Sequence, residues 1–407
     1  MKTILIKNFK NLNNYGSGMM GLVTIKKIHK ELNGNVKFYS DFDEYADIDE
    51  ITKELDEDIK IDIYNKKGQT SSIKLWNTIL QIKNILSNKD AKNFDLVIIL
   101  GGDDLSEYYG KHVWPLFLSY YSWSFKTKVV LLGQSIGPFN FWFNRFTFIN
   151  LARRSKIYTR DKFCFDYLRK DLGIEKNVLL SGDLAFLDLP LQHDISYEQT
   201  MLKKYGLETN KYISIVISGL VGKYYTNDIN HYFESYKKMI TQINAIPELS
   251  GIKICLLAHT YPPHGDEAKI LNEFKEYLGG SISNLVFITD KVLQMGARNI
   301  LGNGLLTITG RMHASVSTFQ KGKPSISLAY SVKYKGVIGD NLGRNDLILD
   351  ANNSDLWATG EIADIVSHKV NYILNNYDKL TNSIKEKVAE QKVLVNDSFE
   401  DVLKEIR

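Results

Sequence analysis

The sequence predicts an α/β chain of two successive parallel-sheet domains facing a cleft, and three observations carry that prediction. Short apolar, β-branched runs end at glycine or at a polar residue, they alternate with stretches of helical spacing, and the alternation starts afresh near residue 211 after a polar interval. The length of 407 residues is too great for one typical core and suits two domains of about 100–200 residues each. A hydrophobic content of 44% beside 24% charged residues is that of a chain able to bury a core in both halves.

Taken in order, residues 3–7 give a first strand, and the loop Asn13-Asn14-Tyr15-Gly16-Ser17-Gly18 leads into a helix over 19–32. Residues 36–40 give a second strand, the acidic stretch 41–58 a loop and short helix, and 59–64 a further strand. A helix near 72–88 precedes the clearest buried strand of the first half, 94–100, which is apolar on both faces and stops at Gly101-Gly102. Parallel sheets carry their sites at such strand ends. Residues 128–133 repeat the pattern and are followed by the loop Gln134-Ser135-Ile136-Gly137-Pro138 and a helix over 141–154. The strand 156–159 ends at Arg160-Asp161, a helix covers 163–172, and the strand 178–180 leads to Ser181-Gly182-Asp183. The first domain therefore spans 1–190 and 191–210 is a linker with a short helix. A second domain over 211–370 has strands at 212–218, 252–258, 285–288, 305–309 and 325–328. Residues 371–407 are C-terminal helices; the alternation after 361 predicts one long helix and then a last one.

Composition excludes several classes of function. A net charge of +4 provides no global field for nucleic acid. Cys164 and Cys255 lie far apart in apolar surroundings and read as buried thiols rather than a disulfide or metal pair. The N-terminal apolar run is too short for a signal peptide, and nothing approaches the roughly 20 apolar residues of a membrane span. The expectation is a cytoplasmic protein, soluble or attached peripherally to the inner face of the plasma membrane. Aromatics at 114–123 and 139–146 stand beside basic residues, which suits a membrane interface as well as core packing.

The most informative cluster is Gly310-Arg311-Met312-His313, directly after the apolar run 305–309, with Lys333 and Lys335 about one strand later. A strand, a tight turn and a helix start place Arg311 and His313 where unpaired backbone N–H groups and the helix dipole favour an anion. Arginine adds a planar fork matched to carboxylate or phosphate. Arg160-Asp161 follows another strand end, in the other domain.

Leu132-Gly133-Gln134-Ser135-Ile136-Gly137-Pro138, Thr159-Arg160-Asp161, Ser181-Gly182-Asp183-Leu184-Ala185-Phe186, Gly310-Arg311-Met312-His313 and Ala329-Tyr330-Ser331-Val332-Lys333-Tyr334-Lys335-Gly336 occur in that order. Together they resemble the polysaccharide pyruvyl transferase family over roughly residues 1 to 345. The resemblance implies two Rossmann-like domains of glycosyltransferase-B-like form. It also implies transfer of pyruvate from phosphoenolpyruvate to two hydroxyls of a sugar in a bacterial polysaccharide or its undecaprenyl-diphosphate-linked precursor, with no cofactor and no metal. Carried over residue by residue, it gives catalytic roles to His313, Arg311 and Lys333 and substrate contacts to Arg160, Met312 and Gly310. His313 serves either as the proton carrier or as a phosphate ligand, since imidazole exchanges protons near neutral pH.

Two loops depart from the family pattern. Gly16 is followed by Ser17-Gly18 where an acidic residue is usual, and Gly101-Gly102 by Asp103-Asp104 where a third glycine is usual. Asn14, Ser17 and Asp103 are candidate contacts for acceptor hydroxyls, each with a plain turn or solvated loop as the alternative. Asp161 either orients Arg160 or caps the next helix. His259, at the end of the strand 252–258, is a further candidate; its spacing to His264 across a proline-broken loop is poor for a metal. Two rivals remain: a nucleotide-sugar-dependent glycosyltransferase of the same fold and a non-catalytic glycan-binding relative. Oligomeric state is not legible.

Overall fold

The computed structural model describes residues 1–406 apart from 43, 65–88, 109 and 264, so the helix expected near 72–88 and His264 lie outside the described residues. Two all-parallel sheets organise the chain. The first contains β1 (Lys2–Lys7), β2 (Val36–Ser40), β3 (Ile61–Ile63), β4 (Leu96–Leu100), β5 (Lys128–Gln134), β6 (Lys156–Thr159) and β7 (Val178–Leu180), in the order 3-2-1-4-5-6-7. The second contains β8 (Tyr212–Val216), β9 (Lys253–Leu257), β10 (Leu285–Ile288), β11 (Thr307–Thr309), β12 (Ser325–Ala329) and β13 (Ile348–Asp350), in the order 10-9-8-11-12-13. Both sheets start from a central strand, grow to one side, then reverse and grow to the other. The reversal falls between β1 and β4 in one sheet and between β8 and β11 in the other, and ligands bind at the carboxyl ends of strands at such a point.

The central strands are buried along their whole length because helices cover both faces. Leu-Val-Ile-Ile-Leu in β4 and Tyr-Ile-Ser-Ile-Val in β8 leave no residue exposed, which explains their unbroken apolar runs. In the first unit, Phe117, Phe139 and Phe148 pack with ring centroids 5.1–5.4 Å apart. Part of the aromatic stretch is thus core. In the second unit, Trp357 packs against Tyr225, Tyr232 and Tyr236 and donates from Nε1 to Ala351 O at 2.9 Å. Both cysteines are buried free thiols.

Contacts divide the chain into one unit of Met1–Asn11, Met20–Leu184 and Gln391–Arg407 and another of Leu12–Met19 and Ala185–Glu390. Each unit thus borrows a segment from the other half of the sequence. The C-terminal segment is fastened to the first sheet by charge: Asp401 accepts from Lys156 Nζ at 3.0 Å and from Tyr158 Oη at 2.6 Å, while Glu405 pairs with Lys128 and Lys156.

Several local features differ from the sequence reading. The last two helices come in the reverse order of length, Glu361–Asn375 and then the longer Tyr377–Lys404. The segment read as one helix over 163–172 is Lys162–Asp166 followed by a π turn, Tyr167–Asp171. Strand β13 was not read, being short and largely polar at its end. Neither was the helix Leu293–Asn303, buried throughout from Gln294 to Asn303; inside it Arg298 donates to Leu187 O at 2.9 Å and Ala185 O at 2.6 Å.

Candidate functional site

The cluster singled out in the sequence lies in the second unit at the carboxyl ends of β8, β9, β11 and β12. Arg311 N–H donates to Thr309 Oγ1 at 2.8 Å, turning the chain out of β11 so that Arg311 becomes the N-cap residue of the helix Met312–Gln320. Gly310 is required in this turn. Its carbonyl accepts from Tyr334 Oη at 2.8 Å and Tyr225 Oη at 3.1 Å, and a Cβ on residue 310 would stand 2.6 Å from the Tyr225 hydroxyl. Burial pushes the Tyr225 hydroxyl well above its ordinary pKa, keeping it a donor.

One carboxylate ties three strand ends together. Glu267, fully buried in the first turn of the helix Glu267–Leu278, accepts Arg311 Nε on Oε1, His259 N–H on Oε2 at 2.9 Å, and Gly219 N–H on Oε1 at 3.4 Å. Burial works against the charge of Arg311, but Glu267, with Tyr330 and Tyr225, outweighs it and raises the guanidinium above its ordinary pKa. Arg311 Nη2 is buried and has no hydrogen-bond partner among the described residues. The inner edge of the fork is fixed on Glu267 while an outer nitrogen lacks the acceptor that a buried charge requires.

His259 is buried behind this pair, its ring edge-on to Tyr15 at 5.2 Å, and neither its Nε2 nor Thr260 Oγ1 has a partner among the described residues. Burial, reinforced by Arg311, His313 and Arg298, holds the imidazole well below its ordinary pKa, so it is neutral in the folded protein. As pH falls through about 6.5 the unfolded chain takes up this proton and the folded one does not, so stability is lost at up to about 1.4 kcal/mol per pH unit. Above that pH the group contributes nothing. Urea midpoints between pH 5 and 7 should therefore fall more steeply in the wild type than in His259→Gln; parallel slopes would refute the assignment.

The first helix, Tyr15–Glu31, begins earlier than the expected 19–32 and takes in Gly16-Ser17-Gly18 of the expected loop, and its start is fastened to the same place. Tyr15 N–H donates to His259 O at 3.3 Å, Asn14 bridges to Thr260, and Asn14 Oδ1 accepts from Gly16 N–H at 3.1 Å. This sets the Gly16 backbone against His313: a Cβ there would lie 2.1 Å from His313 Nδ1. Gly16→Ala must displace the imidazole or the loop, so turnover should drop about 10²-fold with a stability cost of about 1–3 kcal/mol. Steady-state kinetics on the folded variant checks this, and unchanged turnover would mean the position of His313 is not used. Asn14 thus has a turn role, whereas Ser17 is half-buried in the first turn of the helix.

Beyond β12, Tyr330 stacks on Tyr224 at 4.4 Å, and Lys333 Nζ donates to the Tyr330 hydroxyl at 3.0 Å. Lys335 is exposed at the start of a π turn, as expected of a solvated neighbour. The Met312 side chain is buried; its N–H stands in a first turn, where helix geometry supplies no acceptor.

Arg160 and Asp103 belong to the first unit. Arg160 is 1% exposed, pairs through Nη1 with Asp183 at 2.8 Å and donates from Nε to Ser135 Oγ at 2.8 Å. Burial opposes its charge, but Asp183, Asp103 and Asp161 outweigh it and hold the pKa up. Within the unit its fork is held by Asp183 and Ser135. Asp161 does both things foreseen: Oδ1 caps Cys164 N–H at 2.8 Å and Oδ2 accepts from Ser135, which holds Arg160. Asp103 is half-buried and close enough to act on Arg160. Among the described residues no group of three or more His, Cys, Asp or Glu is arranged for a metal.

Sequence reasoning missed Glu267, Tyr225 and the hydroxyls of Tyr330 and Tyr334. The tyrosines past β12 lay within a recognised motif, but Glu267 looks like any acidic residue opening a helix.

Comparison with known proteins matches residues 14–332 to polysaccharide pyruvyl transferase. The amylovoran biosynthesis protein AmsJ of Erwinia amylovora is 24% identical over 321 residues, covering 77% of this chain and 74% of that protein. Among solved structures, UDP-GlcNAc 2-epimerase from Neisseria meningitidis, bound to UDP-GlcNAc, superposes with TM-score 0.62 at 12% identity, covering 98% of this chain and 100% of that one. A glycosyltransferase from Rickettsia africae gives TM-score 0.58 at 14% identity, with 100% and 99% covered. At such identities the structures speak for the fold alone: two Rossmann-like domains of the glycosyltransferase-B type. No helix among the described residues is long and apolar enough to cross a membrane. With the match running through the Arg311 turn and over more than three quarters of the sequence, the chain belongs to the polysaccharide pyruvyl transferase family.

Proposed function

We propose that this protein transfers the pyruvyl group of phosphoenolpyruvate to two hydroxyls of one sugar, forming a pyruvate ketal in a bacterial surface polysaccharide or its undecaprenyl-diphosphate-linked precursor and releasing phosphate. The observation that carries the donor half is Arg311, oriented by Glu267 and left with a buried Nη2 at a helix start that has no partner among the described residues. Such a nitrogen calls for an anionic oxygen, and phosphoenolpyruvate supplies a carboxylate and a phosphate on adjacent atoms.

The reaction needs a proton delivered to the methylene carbon while one sugar hydroxyl adds at C2 and gives up its own proton. Phosphate then leaves C2 with its bonding electron pair, and the second hydroxyl adds at C2 and releases its proton, closing the ketal. Arg311 and Lys333 would hold the anionic oxygens, joined by Met312 N–H at the helix start, and stabilise the departing phosphate. His313, set by the Gly16 backbone, is assigned the proton transfer.

A nucleotide-sugar enzyme would want a carboxylate in this unit to grip a ribose. The carboxylate at this site, Glu267, is buried and already accepts from Arg311, His259 and Gly219. That favours the small anionic donor. The test is to incubate lipid-linked and soluble glycans with phosphoenolpyruvate, following phosphate release and, by mass spectrometry, gain of a pyruvyl ketal. Turnover of a nucleotide sugar with no release from phosphoenolpyruvate on any acceptor would refute the reading.

A further inference from the structure

From residue 111 to residue 160 the chain has eight Lys or Arg and no Asp or Glu, although acidic residues make up 47 of the 407 overall. At that average the fifty positions would hold several. The acid-free stretch includes the helices Trp114–Trp123 and Trp142–Ala152, which lie side by side with like ends together: Trp114 meets Phe143 at 5.2 Å at one end, and Arg154 meets Ser124 at the other. Large apolar side chains on this pair remain in water, with Trp142 69%, Phe146 56% and Leu116 42% exposed, and Phe125 at the far end is 57% exposed. Trp142, Phe143 and Phe146 form one run of ring contacts.

Of the eight cations, Lys128 and Lys156 are taken by Asp401 and Glu405, and Arg160 by Asp183. Lys111, Arg145, Arg153 and Arg154 are exposed. Arg145 donates to the carbonyl of Asp171, Arg154 lies over the Phe125 ring at 4.0 Å, and Lys111 over the Phe141 ring at 5.5 Å. The flanking Glu107 carboxylate accepts from the N–H groups of Asn140 and Phe141 and the amide of Asn144, and its charge offsets part of that of Lys111 alone. The face is therefore apolar, aromatic and positively charged, with its counter-charges absent from its own stretch.

We infer that this face docks on an anionic lipid bilayer, the Trp and Phe rings settling at headgroup depth and the basic rim meeting lipid phosphates. A second copy is the poorer occupant, because a self-paired face would set these cations against their own counterparts. The inference rests on the surface of the first unit alone and stands apart from the pyruvyl-transfer reading.

Flotation of the full chain with vesicles tests it. Binding is expected to vesicles of equal parts phosphatidylglycerol and phosphatidylcholine, weakening as salt is raised, and not to phosphatidylcholine alone. Trp142→Ala with Phe146→Ala should weaken binding about tenfold or more, and Lys111→Gln with Arg153→Gln about fivefold per charge removed. Both variants should keep the far-ultraviolet circular dichroism of the wild type and its phosphate release with a soluble acceptor. Lack of binding to the anionic vesicles, equal binding to both kinds, or unweakened variants would overturn the inference. So would a wild-type dimer in analytical ultracentrifugation that Trp142→Ala dissociates, which would give the face to a second copy.

Discussion

Replacing Arg311 by methionine is expected to lower kcat/KM for phosphoenolpyruvate by about 10²–10³-fold, the usual cost of removing one preorganised donor from developing negative charge. The effect should be carried mainly by KM, because the fork meets anionic oxygens of the bound donor as well as of the departing phosphate. Glu267 fixes Nε and hence the plane of the guanidinium, while Nη2 is buried beside the loop at Gly265. Arg311→Lys keeps the charge but not the planar fork, and should fall between the two. His313→Ala should do the opposite, lowering kcat with less change in KM, if its imidazole moves a proton. Steady-state kinetics over a range of phosphoenolpyruvate concentrations separates these outcomes. A wild-type KM in Arg311→Met would remove the arginine from the donor site.

Parallel strands were legible because burial on both faces makes them unbroken apolar runs, and the Arg311 turn because its strand stops at a glycine that only a residue without Cβ can fill. Alternation along the chain cannot reveal exchanged segments. Leu12–Met19 groups with the second unit through backbone bonds such as Tyr15 to His259, which join residues more than two hundred positions apart. The ion pair of Arg160 with Asp183 was equally hidden, because it joins residues that follow two different strands. His259 was legible as a strand-end residue, but its neutrality was not, because it follows from complete burial, with Arg311, His313 and Arg298 gathered around it. Glu267 was the hardest to find. Its neighbour Asp266 caps the helix by accepting Lys269 N–H at 3.0 Å, so an acidic pair there already has a sufficient local explanation.

Glu267→Ala should destabilise the protein by about 3–5 kcal/mol, the cost of leaving a buried charge without its partner. Its side chain is fully buried, and its removal strands the Arg311 guanidinium together with the N–H groups of His259 and Gly219. The loss need not mean that the pair stabilises the fold in net terms. Two buried ions give up their hydration, and an apolar pair of similar volume is often equal or better by about 1–4 kcal/mol. The double substitution Glu267→Leu with Arg311→Met should therefore be more stable than Glu267→Ala alone, although it removes more charge. It should also lack phosphate release, because the fork has gone. Urea denaturation of Glu267→Leu, Arg311→Met and their double variant, read as a cycle, measures this directly. If the double loss equals the sum of the single losses, the ion pair is not the source of the effect. If instead stability recovers while activity does not, Glu267 is retained for the orientation of Arg311, and the buried pair is a stability cost accepted for the sake of an anion-binding fork.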